Sequence, residues 1–207
     1  QTPLLCSVCY AVAYCPASGV YSPSANGHLS GFRNLLINGN FSINQRDYVS
    51  GTNVAAGTYT LDRWKTVAAA QSVLYSAFGN GFQITAPAGG VEQIIEGVNV
   101  AGGTYTINWS GTATLRVNGA TVAKGATLSL PENTDVSVVF VAGTVALAQL
   151  EPGKTPTQFE NRSVTQETQL CNRYYQIVVG GFTGAVTSGS VYAGYTQIPI
   201  IMRATPT

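Results

Sequence analysis

From Phe32 onward, apolar and polar residues alternate in short runs with a period of two, and glycine and asparagine punctuate the runs. The runs cover residues 58–67, 72–78, 81–86, 91–98, 104–109, 114–117, 121–123, 127–130 and 136–148. Asn118-Gly119 between two of them is the strongest hairpin signal, because both residues tolerate the positive φ that a tight turn needs. Asn80-Gly81 is a second such signal, and Asn38-Gly39-Asn40 marks a turn within 34–43. Roughly eight to ten short strands with turns every 8–12 residues predict an all-β sandwich or jelly roll. Helical patterning occurs once, over 163–173, where Ser163 and Gln166 have capping-box spacing and Glu167 falls in the first turn. Beyond it, 174–179 and 191–202 read as the first strands of a second β domain. Residues 1–29 show no period and carry two Ser/Pro/Gly/Asn-rich patches, 16–19 and 22–27, which predict an extended N-terminal arm.

Composition narrows the class. The 207 residues are enough to bury a core, and 45% are hydrophobic, so the chain lacks the signature of disorder. Only 9% are charged, against about 25% in ordinary soluble domains. The ten Lys and Arg are scattered singly and the net charge is +1, which gives no basic stripe for nucleic acid. No apolar stretch approaches the roughly 20 residues of a membrane helix, so membrane insertion is not expected. Residues 1–32 contain no Asp, Glu, Lys or Arg. The apolar run 4–14 follows no basic residue, the chain opens on Gln, and 198–207 reads as a strand entering its sheet; together these predict a segment of a longer protein.

Four separated segments carry a resemblance. They are Asn34-Leu-Leu-Ile-Asn-Gly-Asn-Phe41, Leu61-Asp-Arg-Trp64, Gln149-Leu-Glu-Pro-Gly153 and Leu170-Cys-Asn-Arg-Tyr-Tyr175. In this order they resemble the landmarks of a module of bacteriophage and prophage tail-fibre proteins. The resemblance spans about 30–175, leaving the arm at 1–29 outside it, and implies a jelly-roll sandwich like those of carbohydrate-binding domains, over 30–162, followed by a connecting helix at 163–176 and a truncated second β domain at 177–207. It further implies a structural virion protein, a fibre or spike subunit of the tail, baseplate or neck that attaches to the host through surface glycans. The expected partners are two further copies in a trimer, other virion proteins held by the N-terminal arm, and a host polysaccharide. A carbohydrate-binding module of a secreted bacterial enzyme is the alternative, and a depolymerising enzyme a third reading.

Trp109, Tyr105 and Tyr59 are the candidates for ligand contact, since an aromatic face suits the apolar face of a pyranose. For Trp109, and more so for Trp64, a place in the core competes with that role. Glu92 and Glu96 form the one close carboxylate pair. On one strand they stand roughly 13 Å apart, outside the about 5–9.5 Å of glycosidase pairs, and read as solvated residues flanking a buried Ile94. The single histidine, His28, sits in the arm without a scaffold for general-base work. No phosphate-binding loop or other cofactor motif occurs, and the chain is not expected to be an enzyme or to hold a metal. Cys6, Cys9 and Cys15 are candidates for a disulfide, within the arm or between subunits; free thiols, or zinc with His28, are the alternatives. Cys171 reads as a small packed residue on the helix. Sequons begin at Asn40, Asn108 and Asn161, chance matches in a virion assembled in a bacterial cytoplasm.

Overall fold

The computed structural model describes residues 32–177 and 201–203. Ten strands precede one helix: β1 (Lys65–Thr66), β2 (Leu74–Phe78), β3 (Gly81–Ala86), β4 (Val91–Ile95), β5 (Gly103–Ser110), β6 (Thr114–Val117), β7 (Ala120–Val122), β8 (Thr127–Leu130), β9 (Val136–Val141) and β10 (Gly143–Pro152), then α1 (Val164–Asn172). They form two antiparallel five-stranded sheets, β1-β4-β9-β6-β7 and β2-β3-β10-β5-β8. The fold is an all-β sandwich, as the alternation predicts.

Strands β3 to β10 make one long hairpin rolled around a core. Its tip is β6 with β7; β5 pairs β8, β4 pairs β9 and β3 pairs β10, and successive pairs fall in alternate sheets. Cross-pairs β6 with β9 and β10 with β5 then close each sheet. This is jelly-roll connectivity. The tip turn is Asn118-Gly119, with φ of 48° and 82°, the left-handed pair that matches strand twist in a two-residue hairpin.

Inward residues of both sheets build the core. Trp64, Phe41 and Phe140 are fully buried, with ring centroids 5.1 Å (Phe41–Trp64) and 5.8 Å (Trp64–Phe140) apart. Trp109 meets Phe140 edge-on at 5.5 Å. Phe140 lies on β9, the middle strand of its sheet, and thus joins both tryptophans. Around these rings pack Ile84, Ile107, Leu115, Val138 and Leu150, none of them exposed.

Several expectations need correction. The run 58–67 keeps only β1 as strand. Leu61–Trp64 is a tight turn, with Trp64 N donating to Leu61 O (2.9 Å), Thr60 N to Trp64 O (2.9 Å), and Arg63 at φ 73°. All four of its residues are buried, so the turn is enclosed without joining a ladder. The run 136–148 is two strands in different sheets, broken at Ala142 (φ 44°) and Gly143 (φ 142°). There a Cβ on Gly143 would meet Ala113 N at 2.7 Å, so only glycine lets the chain cross. The first hairpin turn is Gly79-Asn80, one residue earlier than the Asn-Gly dipeptide, because Phe78 pairs Gly81. In β4 the buried face is Val91, Gln93 and Ile95; Ile94 is partly exposed, opposite to expectation.

The helix has its expected cap: Ser163 Oγ accepts from Gln166 N (3.3 Å) and Gln166 Oε1 from Ser163 N (3.1 Å). Residues 174–177 and 201–202 are not in strands. The remainder of the expected second β domain, and the whole arm with Cys6, Cys9, Cys15 and His28, lie outside the described residues.

Because Phe140 supports both tryptophans from the centre of its sheet, Phe140→Ala is expected to lower stability by about 3–5 kcal/mol in urea unfolding followed by tryptophan fluorescence. A loss below about 1 kcal/mol would contradict this account of the core.

Candidate functional site

The four landmark segments are far apart in sequence and meet at one place. The opening segment crosses the two sheets without being a strand, and side chains read its backbone. Gln93, buried in β4, accepts from Ile37 N and donates to Ile37 O, both at 2.8 Å. Asn34 Oδ1 accepts from Leu150 N (3.0 Å) and Leu36 N (3.0 Å), while its Nδ2 donates to Ala148 O (3.0 Å). Asn38, at φ 57°, donates through Nδ2 to Ile43 O and Asp62 O and accepts at Oδ1 from Ile43 N, each 2.9 Å. Its own carbonyl accepts from Trp64 Nε1 (2.9 Å). Between these, Gly39 runs so close to β10 that a Cβ would stand 2.3 Å from Ala148 O. Glycine is required there.

Charges finish the joint. Asp62, buried, accepts from Gln45 N (3.1 Å) and Nε2 (2.6 Å) and pairs with Arg46 (3.3 Å). Glu167, on the first turn of α1, accepts from Asn38 N and pairs with Arg162 (3.4 Å). Arg162 also donates to the Leu36 and Asn34 carbonyls. Every buried carboxylate here thus has donors, which is the condition for burying one. The consecutive tyrosines after the helix then stack on two arginines. Tyr175 lies 3.7 Å from the Arg46 guanidinium, with Tyr59 at 5.0 Å from the same group, and Tyr174 lies 3.5 Å from that of Arg63. Burial lowers the Arg63 pKa below the ordinary guanidinium value, and Tyr174 is the largest opposing influence. The same guanidinium donates to Ile94 O (2.6 Å). Glu96 holds Arg173 (3.5 Å) and Arg203 (2.8 Å), and Arg203 N donates to Arg173 O (2.9 Å). The landmarks are therefore a tie between the roll, the helix and residues 201–203.

On the outer face of the second sheet the residues are of another kind. Thr104, Thr106, Asn108 and Ser110 of β5 alternate with the core residues Tyr105, Ile107 and Trp109, and of the four only Thr106 is buried. Segment 153–162 lies across this face, held by Thr106 Oγ1 to Gly153 O (2.7 Å) and Glu160 N to Gln149 Oε1 (2.7 Å). A β-bulge between Ala146 and Gln149, with Leu147 at φ 50°, bends β10 beneath it. Between bulge and segment opens a cleft of about 240 Å³ whose walls include Asn108, Trp109, Ser110, Phe159 and Asn161.

The structure separates the aromatic candidates. Tyr105 is 2% exposed, its hydroxyl accepting from Ala101 N (3.2 Å), and its ring belongs to the core. Trp109 is 6% exposed and core-packed, yet forms part of the cleft wall; its Nε1 has no partner. Tyr59 is half-buried under Arg46, away from that cleft's lining. The cleft brings together Asn108, Gln158 and Asn161, which the sequence reading did not single out as ligand residues; the outward phase of β5 was the available signal for the first. Glu92 pairs with Lys65 across the strands (3.0 Å) and accepts from Ser137 Oγ (2.6 Å), whereas Glu96 lies past the end of β4 at the arginine pair. They are tied to separate partners. Cys171 is buried and unpaired, and burial, then Asp62 and Glu167, pushes its thiol pKa well up. Comparison with protein-family models, curated proteins and solved structures finds no match to this chain.

Two measurements test the joint. In a double-mutant cycle of Arg46→Ala and Tyr175→Ala, a coupling of about 0.5–2 kcal/mol is expected in urea unfolding; strict additivity would mean the stack holds nothing. Peptide mapping after brief alkylation at pH 8 should find Cys171 unmodified in the folded chain and modified after denaturation.

Proposed function

We propose that the chain is a structural module of a bacteriophage fibre or spike, oligomeric in the virion, which contributes a glycan-recognising surface to host attachment. The observation that carries the reading is the joint: the four segments that resemble tail-fibre landmarks converge on one tie. A module in a fibre has to pass its direction to the next segment. Buried polar ties with fixed geometry do this better than an apolar contact, which tolerates sliding. The low charge, 9% of residues, supports the reading from another side, since a subunit that buries much of its surface against copies needs few solvating charges. Weak sugar affinity at one module becomes useful when identical modules engage together. The N-terminal arm is the proposed attachment to other virion proteins.

The uncharged cleft on the outer face of the second sheet keeps the alternative in view, a carbohydrate-binding module of a secreted bacterial enzyme. Light scattering of the intact chain separates the two. A trimer or other closed oligomer is expected; a monomer that binds glycans on an array would support the alternative and remove the fibre reading.

A further inference from the structure

We propose that the cleft beside the β10 bulge is a binding site for an uncharged ligand rich in hydroxyl or acetamido groups, a neutral sugar rather than an acidic one. This deepens the attachment reading and rests on it for the biological source of the ligand. The argument begins with unused hydrogen-bonding capacity. Among the described residues, the side chains of Asn108, Ser110 and Gln158 have no hydrogen-bond partner, and Asn161 has only a 3.4 Å contact from Asn80. Each of these amides offers two donors and an acceptor, and the hydroxyl offers one of each. A ligand that pairs with such a set must itself donate and accept, as a vicinal diol or an acetamide does.

Charge is missing from the cleft because it is used beside it. Glu151 pairs with Arg33 (3.1 Å) and accepts from Gln149 Nε2 (2.8 Å), Thr157 N (2.7 Å) and Thr157 Oγ1 (2.6 Å). Glu160 accepts from Asn34 N (2.7 Å) and lies 3.6 Å from Arg162. Lys124 donates to Gly111 O (2.7 Å) over the Trp109 ring. An acidic sugar entering the cleft would lose water from its carboxylate and gain no cation from the lining in return. Discrimination then comes from an absent partner.

Apolar walls and backbone strain complete the case. Leu147 and Phe159 line the cleft between the polar groups, the mixed lining that small-molecule sites share. Leu147 holds a left-handed φ of 50°, costly for a branched side chain. Bulges carrying such residues recur where a sheet re-aims side chains at a ligand. Trp109, whose buried Nε1 has no partner, is also a lining residue of the cleft.

The test is saturation-transfer NMR on the full chain with glucose, galactose, mannose, N-acetylglucosamine and N-acetylgalactosamine, against glucuronic and galacturonic acids. Transfer to at least one neutral sugar is expected, with affinity about tenfold weaker or worse for the matching acid. Asn108→Ala combined with Asn161→Ala should reduce the affinity about tenfold while leaving thermal unfolding unchanged. Because a fold defect could mimic that loss, Gln158→Ala at an exposed position gives a second reading and should weaken binding alone. No transfer to any neutral sugar, equal affinity for the acids, or binding that survives all the variants overturns the proposal. None of these results changes the oligomeric state, which tests the fibre reading separately.

Discussion

A buried amide holds this fold together. Asn38 sits in left-handed conformation between the two sheets, and its side chain closes the loop to Ile43 while reaching Asp62. Its backbone joins Glu167 of the helix on one side and the Trp64 indole on the other. Asparagine suits the place because it tolerates positive φ and offers donor and acceptor together. With an apolar residue here, three buried backbone groups, Ile43 N, Ile43 O and Asp62 O, would lose this partner. That cost exceeds the modest net value of any single hydrogen bond, since an unmet buried group forfeits its hydration in full. The irregular opening segment can cross the core for this reason, although it contributes no strand.

The roll itself depends on simpler physics. Strands β6 and β7 close at a local two-residue turn, and each later pair spans a longer stretch of chain, out to β3 with β10. Local pairing before distant pairing is the sequence of loop-closure costs, so the Asn118-Gly119 turn is a natural starting point for zipping. What fixes which residues face inward is alternation within each strand. Where alternation breaks, at Ala142 and at Leu147, the chain changes sheets or bulges.

This division explains what could be read in advance. Strands β2, β3, β5, β6, β7 and β8 and the capped helix follow from periodicity, Asn-Gly turns and capping residues, all local signals. Leu61–Trp64 reads as strand from its place inside a longer apolar and threonine-rich run, but the turn is set by Asn38 and Ile43 bonding to it from elsewhere in sequence. The reversed phase of β4 has a similar source: Gln93 turns inward because Ile37 offers it two backbone groups, and a polar residue with two assured partners displaces Ile94 from the core. Of the cleft, only the outward polar face of β5 was legible. Its other wall depends on a bulge that no residue in β10 announces.

The joint and the cleft also explain why residues that carry a resemblance need not be those that meet a ligand. Arg46, Arg63, Tyr174 and Tyr175 attract attention as a basic and aromatic cluster, a combination that in isolation suggests recognition. Here the rings and guanidiniums satisfy one another, and Gln45 Nε2 adds a bond to Tyr175 O (3.2 Å). A stacked guanidinium keeps its charge while shedding little hydration, so such pairs can be enclosed where Lys could not be. The uncharged amides and hydroxyls of the second sheet have the opposite property. Asn108 and Ser110 among them lie outside all four landmark segments, yet they retain hydrogen-bonding capacity, and recognition needs that unspent capacity.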